Sequence, residues 1–68
     1  MKKSEKIGVK RFYKQWSWLL REKGNKKKYV VAYFMGAWTT MNDAQAAWFL
    51  GKLTKKERKE IMSYPIWQ

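Results

Sequence analysis

The sequence predicts an all-α fold, a compact single domain (residues 1–68) of about four short helices. Apolar side chains recur at spacings of three and four residues, which is the period of one face of an α-helix. Two pairs, Asn42 with Gln45 and Thr54 with Glu57, have the spacing of capping boxes, which mark helix starts. Five Trp, four Tyr and three Phe offset the short length, since each buried ring removes about 150–250 Å² from water.

The first helix is predicted over residues 5–23. Ser4 is a suitable N-cap, and residues 1–4 are expected to be frayed. Gly24-Asn25 gives a stop signal at the C-terminal end of the helix. The apolar positions that define its inner face are Val9, Phe12, Tyr13, Trp16, Leu19 and Leu20.

The second segment, residues 29–41, has two interpretations. Its β-branched and aromatic residues favour strands, and Met35-Gly36 would close a β-hairpin. Val30 and Phe34 also fit one face of a helix, and the helix is the favoured interpretation. The preceding lysines, Lys26, Lys27 and Lys28, are expected in a loop.

Two further helices are predicted in the last part of the chain. The third covers residues 43–50 and is nearly all apolar, with Gly51 as its end. The fourth runs over residues 54–63, after which Pro65 imposes an extended tail. The two apolar tail residues, Ile66 and Trp67, either fold back on the core or anchor a partner protein.

The fourth helix carries both signs of charge. Its carboxylates, Glu57 and Glu60, stand where a helix-turn-helix needs apolar side chains, which argues against a recognition helix. Its cations are therefore interpreted as a solvated face, with Lys56 paired to Glu60 across one helical turn. These cations are Lys55, Lys56, Arg58 and Lys59.

The net charge of +11 is unevenly spread along the chain. Residues 1–28 hold eleven Lys or Arg against Glu5 and Glu22, whereas residues 29–51 hold only Asp43. Like charges at this density repel one another unless an anion neutralises them. The composition therefore indicates a polyanionic or acidic partner for the N-terminal half.

The candidate binding residues lie on the first helix and just after it. When the apolar stripe faces inward, Trp18 points outward, Lys10, Lys14 and Arg21 lie on one flank, and Arg11 lies on the other. Cations bind phosphates or anionic headgroups, and an exposed indole stacks on bases or enters a membrane interface. Lys26, Lys27 and Lys28 extend this surface. The alternatives are that Trp18 packs on another helix or a second copy, and that the lysines only confer solubility.

The sequence contains no combination of residues typical of a catalytic site. There is no cysteine and no histidine, which removes thiolate chemistry, the common zinc ligand sets and the commonest general base. The five carboxylates are scattered, and no phosphate-binding glycine loop is present. We therefore expect a protein that is not an enzyme and uses no metal or cofactor.

Three kinds of partner suit this composition. A nucleic acid, contacted through its phosphate backbone, is the first. The second is an anionic membrane, since the chain is similar in its Lys- and Trp-rich, cysteine-free composition to the leaderless bacteriocins, a resemblance that implies a secreted antimicrobial peptide. The third is an acidic surface on a host protein that this chain would inhibit. No apolar run typical of a signal peptide follows Met1, so a cytoplasmic location is expected under the first interpretation.

Overall fold

The computed structural model describes residues 1–67 and confirms the all-α fold. No strand occurs among these described residues, so the β-hairpin alternative is wrong. A short 3₁₀ turn over Pro65–Trp67 follows the helices. The four α-helices are α1 (Lys3–Glu22), α2 (Lys27–Trp38), α3 (Asp43–Lys52) and α4 (Lys55–Met62).

Helix α1 begins earlier than the sequence predicts. Lys2 is its N-cap, and the Glu5 carboxylate accepts the Lys2 backbone N–H at 2.8 Å. Ser4 lies inside the first turn, so its predicted capping role is wrong. Fraying of residues 1–4 stays a prediction. The hydrogen bond from Lys2, followed by one from Asn42, lowers the pKa of Glu5 below its usual value.

Helix α2 takes in part of the expected lysine loop. Lys27 and Lys28 belong to its first turn and Lys26 is its N-cap, so the assignment of all three to a loop is wrong. The burial pattern of this segment fits a helix and not a hairpin. Val30 and Phe34, four residues apart, are both fully buried. A strand would put Ala32 on the same face as these two residues, but Ala32 is exposed, as helical spacing requires.

Both predicted capping boxes are present. The Asn42 side chain accepts the Gln45 N–H at 2.9 Å, and the Thr54 hydroxyl accepts the Glu57 N–H at 3.2 Å. Gly51, however, does not end α3, which continues to Lys52. The stop comes two residues later because Leu53 is buried in the core with an extended backbone.

Phe49 lies at the centre of a core made largely of aromatic rings. Its ring stacks on Phe12 at 4.7 Å between centroids and meets Trp16 edge-on at 6.2 Å. Phe34 of α2 completes the cluster at 6.0 Å from Phe49. The buried residues are Val9, Phe12, Trp16, Val30, Phe34, Phe49, Leu53, Ile61 and Tyr64.

The tail is compact rather than extended. After Pro65 the chain turns in a 3₁₀ helix, which corrects the extended tail predicted from the sequence. The Trp67 indole N–H donates to the Ile61 carbonyl at 2.8 Å, and the Trp67 ring meets Trp38 edge-on at 5.4 Å. Ile66 packs against the core, so the prediction that these residues fold back is confirmed.

Candidate polyanion-binding surface

The solvent side of α1 carries most of the residues singled out in the sequence. Val9, Phe12 and Trp16 are buried, so a rotation of about 100° per residue turns Lys10, Arg11 and Lys14 outward. Four of the predicted residues lie around one shallow depression. They are Arg11, Lys14, Trp18 and Arg21. Lys10 is also exposed and shares the flank of Lys14 and Arg21.

Trp18 is exposed, with 43% of its surface open to solvent. It belongs neither to the core cluster nor to the side chains packed against that cluster. The alternative that Trp18 packs on another helix of this chain stays a prediction. Packing on a second copy stays untested.

One residue of this surface escaped the sequence analysis. Ile7 is 45% exposed and precedes Trp18 by eleven residues, which is about three helical turns. The two apolar side chains therefore project from the same side of α1. The spacing is visible in the sequence, but an isolated apolar residue near the N-terminus does not by itself indicate a binding surface. We call this surface the outer face of α1, and its residues are Ile7, Lys10, Arg11, Lys14, Trp18 and Arg21.

Among the described residues, the cations of the outer face of α1 have no carboxylate partner. Between Lys6 and Arg21 the helix contains no acidic residue. Within residues 1–67 one ion pair forms, and it joins Lys27 to Glu60. The outer face therefore presents unneutralised positive charge to solvent.

Of the three lysines after α1, Lys27 is engaged in contacts within the fold. The Lys27 ammonium lies 3.6 Å from Glu60 Oε2 and donates to the Ser63 hydroxyl at 3.2 Å. It also lies 5.8 Å from the centre of the Tyr64 ring. Lys27 thus ties α2 to α4 and serves the fold. Lys26 and Lys28 remain exposed, and Lys26 lies beside Lys23 at the far end of α1.

Helix α4 presents a second basic surface that the sequence analysis treated as partly paired. Glu57 is turned inward and accepts the Tyr13 hydroxyl at 2.8 Å, a bond that raises the pKa of Tyr13. Glu60 faces Lys27, so the predicted pairing of Lys56 with Glu60 is wrong. With both carboxylates inside, the exposed residues of α4 are cationic apart from Met62. The exposed cations are Lys55, Lys56, Arg58 and Lys59, and the Arg58 guanidinium donates to the Leu50 carbonyl at 3.1 Å.

The polar groups beneath these surfaces are structural. The buried Trp16 indole N–H donates to the Tyr64 hydroxyl at 3.2 Å. Burial raises the pKa of Tyr64 strongly, so its hydroxyl is protonated at neutral pH. Among the described residues no cluster of carboxylates could hold a metal ion. No helix within residues 1–67 combines the length and apolar character needed to cross a bilayer.

No family model, curated protein or solved structure matches this chain. Function is therefore inferred from surface chemistry. The outer face of α1 offers ammonium and guanidinium donors around one exposed indole, a combination suited to phosphates and to flat aromatic or apolar groups.

Proposed function

We propose that this protein is a small nucleic-acid-binding protein that contacts the phosphate backbone through the outer face of α1, with Lys26 and Lys28 as peripheral contacts. The observation that carries the proposal is the unpaired state of Lys10, Arg11, Lys14 and Arg21 on a helix face without a carboxylate. An arrangement that served only stability would place opposite charges at the same spacings.

Dimensions and charge density agree with a phosphate ligand. From Lys10 to Arg21 the helix rises about 16 Å, at roughly 1.5 Å per residue. Duplex DNA carries one charge per about 1.7 Å of axis, so its charge density along this length exceeds that of the helix face. Such contacts release counterions and are insensitive to base sequence.

The test is binding of the protein to fluorescent nucleic acids across a salt series. We expect the double variant Arg11→Glu/Lys14→Glu to bind at least tenfold more weakly. We also expect the slope of log affinity against log salt to become shallower by about two, because each lost phosphate contact removes roughly one unit. Circular dichroism checks that the variant remains folded.

The matched control is Lys55→Glu/Lys59→Glu on α4, which changes the net charge by the same amount. A contact surface on α1 predicts a smaller loss for the α4 variant. Equal losses would show that only the net charge matters, and an absence of salt-sensitive binding by the wild-type protein would overturn the proposal.

A second candidate is binding to an anionic membrane surface. The observation in its favour is the pair Ile7 and Trp18, both exposed on the basic side of α1. Cationic helices with apolar side chains bind anionic bilayers at the interface. Vesicles containing phosphatidylglycerol separate the two functions: leakage without nucleic-acid binding would favour the membrane.

A further inference from the structure

We infer that the ligand of the outer face of α1 is a single-stranded nucleic acid and that the Trp18 indole stacks on an unpaired base. This inference rests on the proposed function and narrows its substrate class. Trp18 is a large ring, 43% exposed, that the core does not use. A base with an open face supplies a surface that would cover it.

Cations bracket the Trp18 ring along the helix axis. Lys14 precedes it by about one turn, roughly 6 Å, and Arg21 follows by roughly 4.5 Å along the axis. All three residues line the same depression. A nucleotide stacked on Trp18 would therefore have a cation near the phosphate on either side, which is the arrangement that single-strand-binding surfaces use.

Two other indoles with access to solvent, Trp67 and Trp48, lack this setting. Trp67 is 41% exposed, but its N–H is bonded to Ile61 and its ring leans on Trp38. Trp48 is covered by the Lys52 ammonium, 4.7 Å from its ring centre. Trp18 is in none of the ring pairs found among the described residues.

A duplex does not offer Trp18 the same surface. Its base faces are covered by neighbouring pairs, so a ring projecting from the middle of a helix meets sugars and phosphates unless the bases unstack. Stacking on a free base is worth roughly 5- to 150-fold in affinity. A preference for single strands should therefore be measurable.

A lipid surface fits the outer face of α1 less well. Its two apolar side chains, Ile7 and Trp18, are separated by about three turns, with Arg11 and Lys14 between them. Helices that lie in bilayer interfaces present a continuous apolar stripe. The apolar stripe of α1 faces the core, where Val9 and Trp16 are fully buried and Tyr13, Leu19 and Leu20 pack against the cluster.

The experiment compares three oligonucleotides of equal length at one salt concentration: a single strand, its duplex, and a single strand with abasic sites in place of the bases. The abasic strand keeps the phosphates and removes the stacking partner. We expect the wild-type protein to bind the intact single strand at least about fivefold more tightly than the other two. We expect Trp18→Ala to lose this preference while its salt slope stays unchanged.

Two variants serve as controls for this experiment. Trp18→Phe keeps a flat ring and should retain most of the preference, whereas Trp67→Phe changes an indole away from the outer face and should bind as the wild-type protein does. Binding of the single strand should quench tryptophan emission in Trp67→Phe and much less in Trp18→Phe. Thermal unfolding confirms that every variant is folded.

The possible failures are distinguishable. Salt-sensitive binding that is equal for all three oligonucleotides, or unaffected by Trp18→Ala, would overturn the single-strand inference and leave the proposed function standing. A preference for duplex would do the same. No binding to any oligonucleotide, with vesicle leakage that Trp18→Ala abolishes, would overturn both.

Discussion

The inner and outer faces of α1 each carry a tryptophan, and the two rings have opposite environments. Trp16 is fully buried, and its indole N–H is bonded to Tyr64. Trp18, two residues later, is 43% exposed and is surrounded by cations. A rotation of about 200° around the helix separates them. The same residue type is thus fixed by packing on the inner face. On the outer face it is open to solvent, and the stability of the core does not explain its presence there.

The largest expected effect on this comparison comes from truncating each tryptophan in turn. We expect Trp16→Ala to lower the free energy of unfolding by about 3–5 kcal/mol, because it opens a cavity in the aromatic core. A domain this small then has little or no folded population at room temperature. Trp18→Ala should change stability by no more than about 0.5 kcal/mol, as surface substitutions do. Urea denaturation measures both, and similar losses would show that Trp18 belongs to the packing.

A smaller effect is expected from Tyr64→Phe, which keeps the ring but removes the acceptor for Trp16. We expect a loss of about 1–3 kcal/mol, because the buried indole N–H is left unsatisfied. The matched outer-face variant, Trp18→Phe, should leave unfolding nearly unchanged. If Tyr64→Phe left the free energy of unfolding unchanged, the hydrogen bond from Trp16 would not stabilise the inner face.

The same residue gives this prediction a pH dependence. Burial raises the pKa of Tyr64 in the folded protein, whereas an unfolded tyrosine titrates near about 10. The contribution of the Tyr64 hydroxyl to the free energy of unfolding is therefore fully present below pH about 10. It is lost as the pH rises further, because the unfolded chain then releases the tyrosine proton more readily than the folded protein does. The stability difference between wild type and Tyr64→Phe should shrink above that pH. A constant difference up to pH about 11 would contradict the assignment.

The smallest expected effect concerns Tyr13, at the boundary between the two faces. Its hydroxyl donates to Glu57 across the α1–α4 contact, but Glu57 also accepts the Thr54 N–H at 3.0 Å. Tyr13→Phe therefore leaves the carboxylate partly satisfied, and we expect a loss of about 0.5–1.5 kcal/mol. Thermal unfolding at neutral pH measures it. A loss as large as that of Tyr64→Phe would place Tyr13 with the inner face.

Local signals in the sequence predicted the helices well. The periodicity of α1 and the side chains of Asn42 and Thr54 act within a few residues, so their outcome is visible in the pattern. Gly51 shows where local signals fail to predict a helix end. Glycine often ends a helix, but α3 continues past Gly51 to Lys52, and the buried Leu53 follows it. Local preference yields there to packing.

The site was predictable only in part, for a related reason. The outward position of Trp18 and its cations follows from helical geometry alone. The roles of Lys27 and Glu57 do not, because their partners are 36 and 44 residues away in the chain. The sequence therefore groups Lys27 with the free lysines and pairs Lys56 with Glu60 within α4.

The inward orientation of the carboxylates also affects the electrostatic repulsion between two copies of this protein. Of the five acidic residues, Glu5, Glu57 and Glu60 are held by contacts within the chain, which leaves Glu22 and Asp43 exposed. Two approaching copies therefore carry a large excess of positive charge, with few exposed carboxylates to match it. Their repulsion reaches about 10 Å at 0.1 M salt and shortens as salt is added. Colloidal stability in dilute buffer is thus a by-product of the same orientation of side chains that leaves α4 cationic.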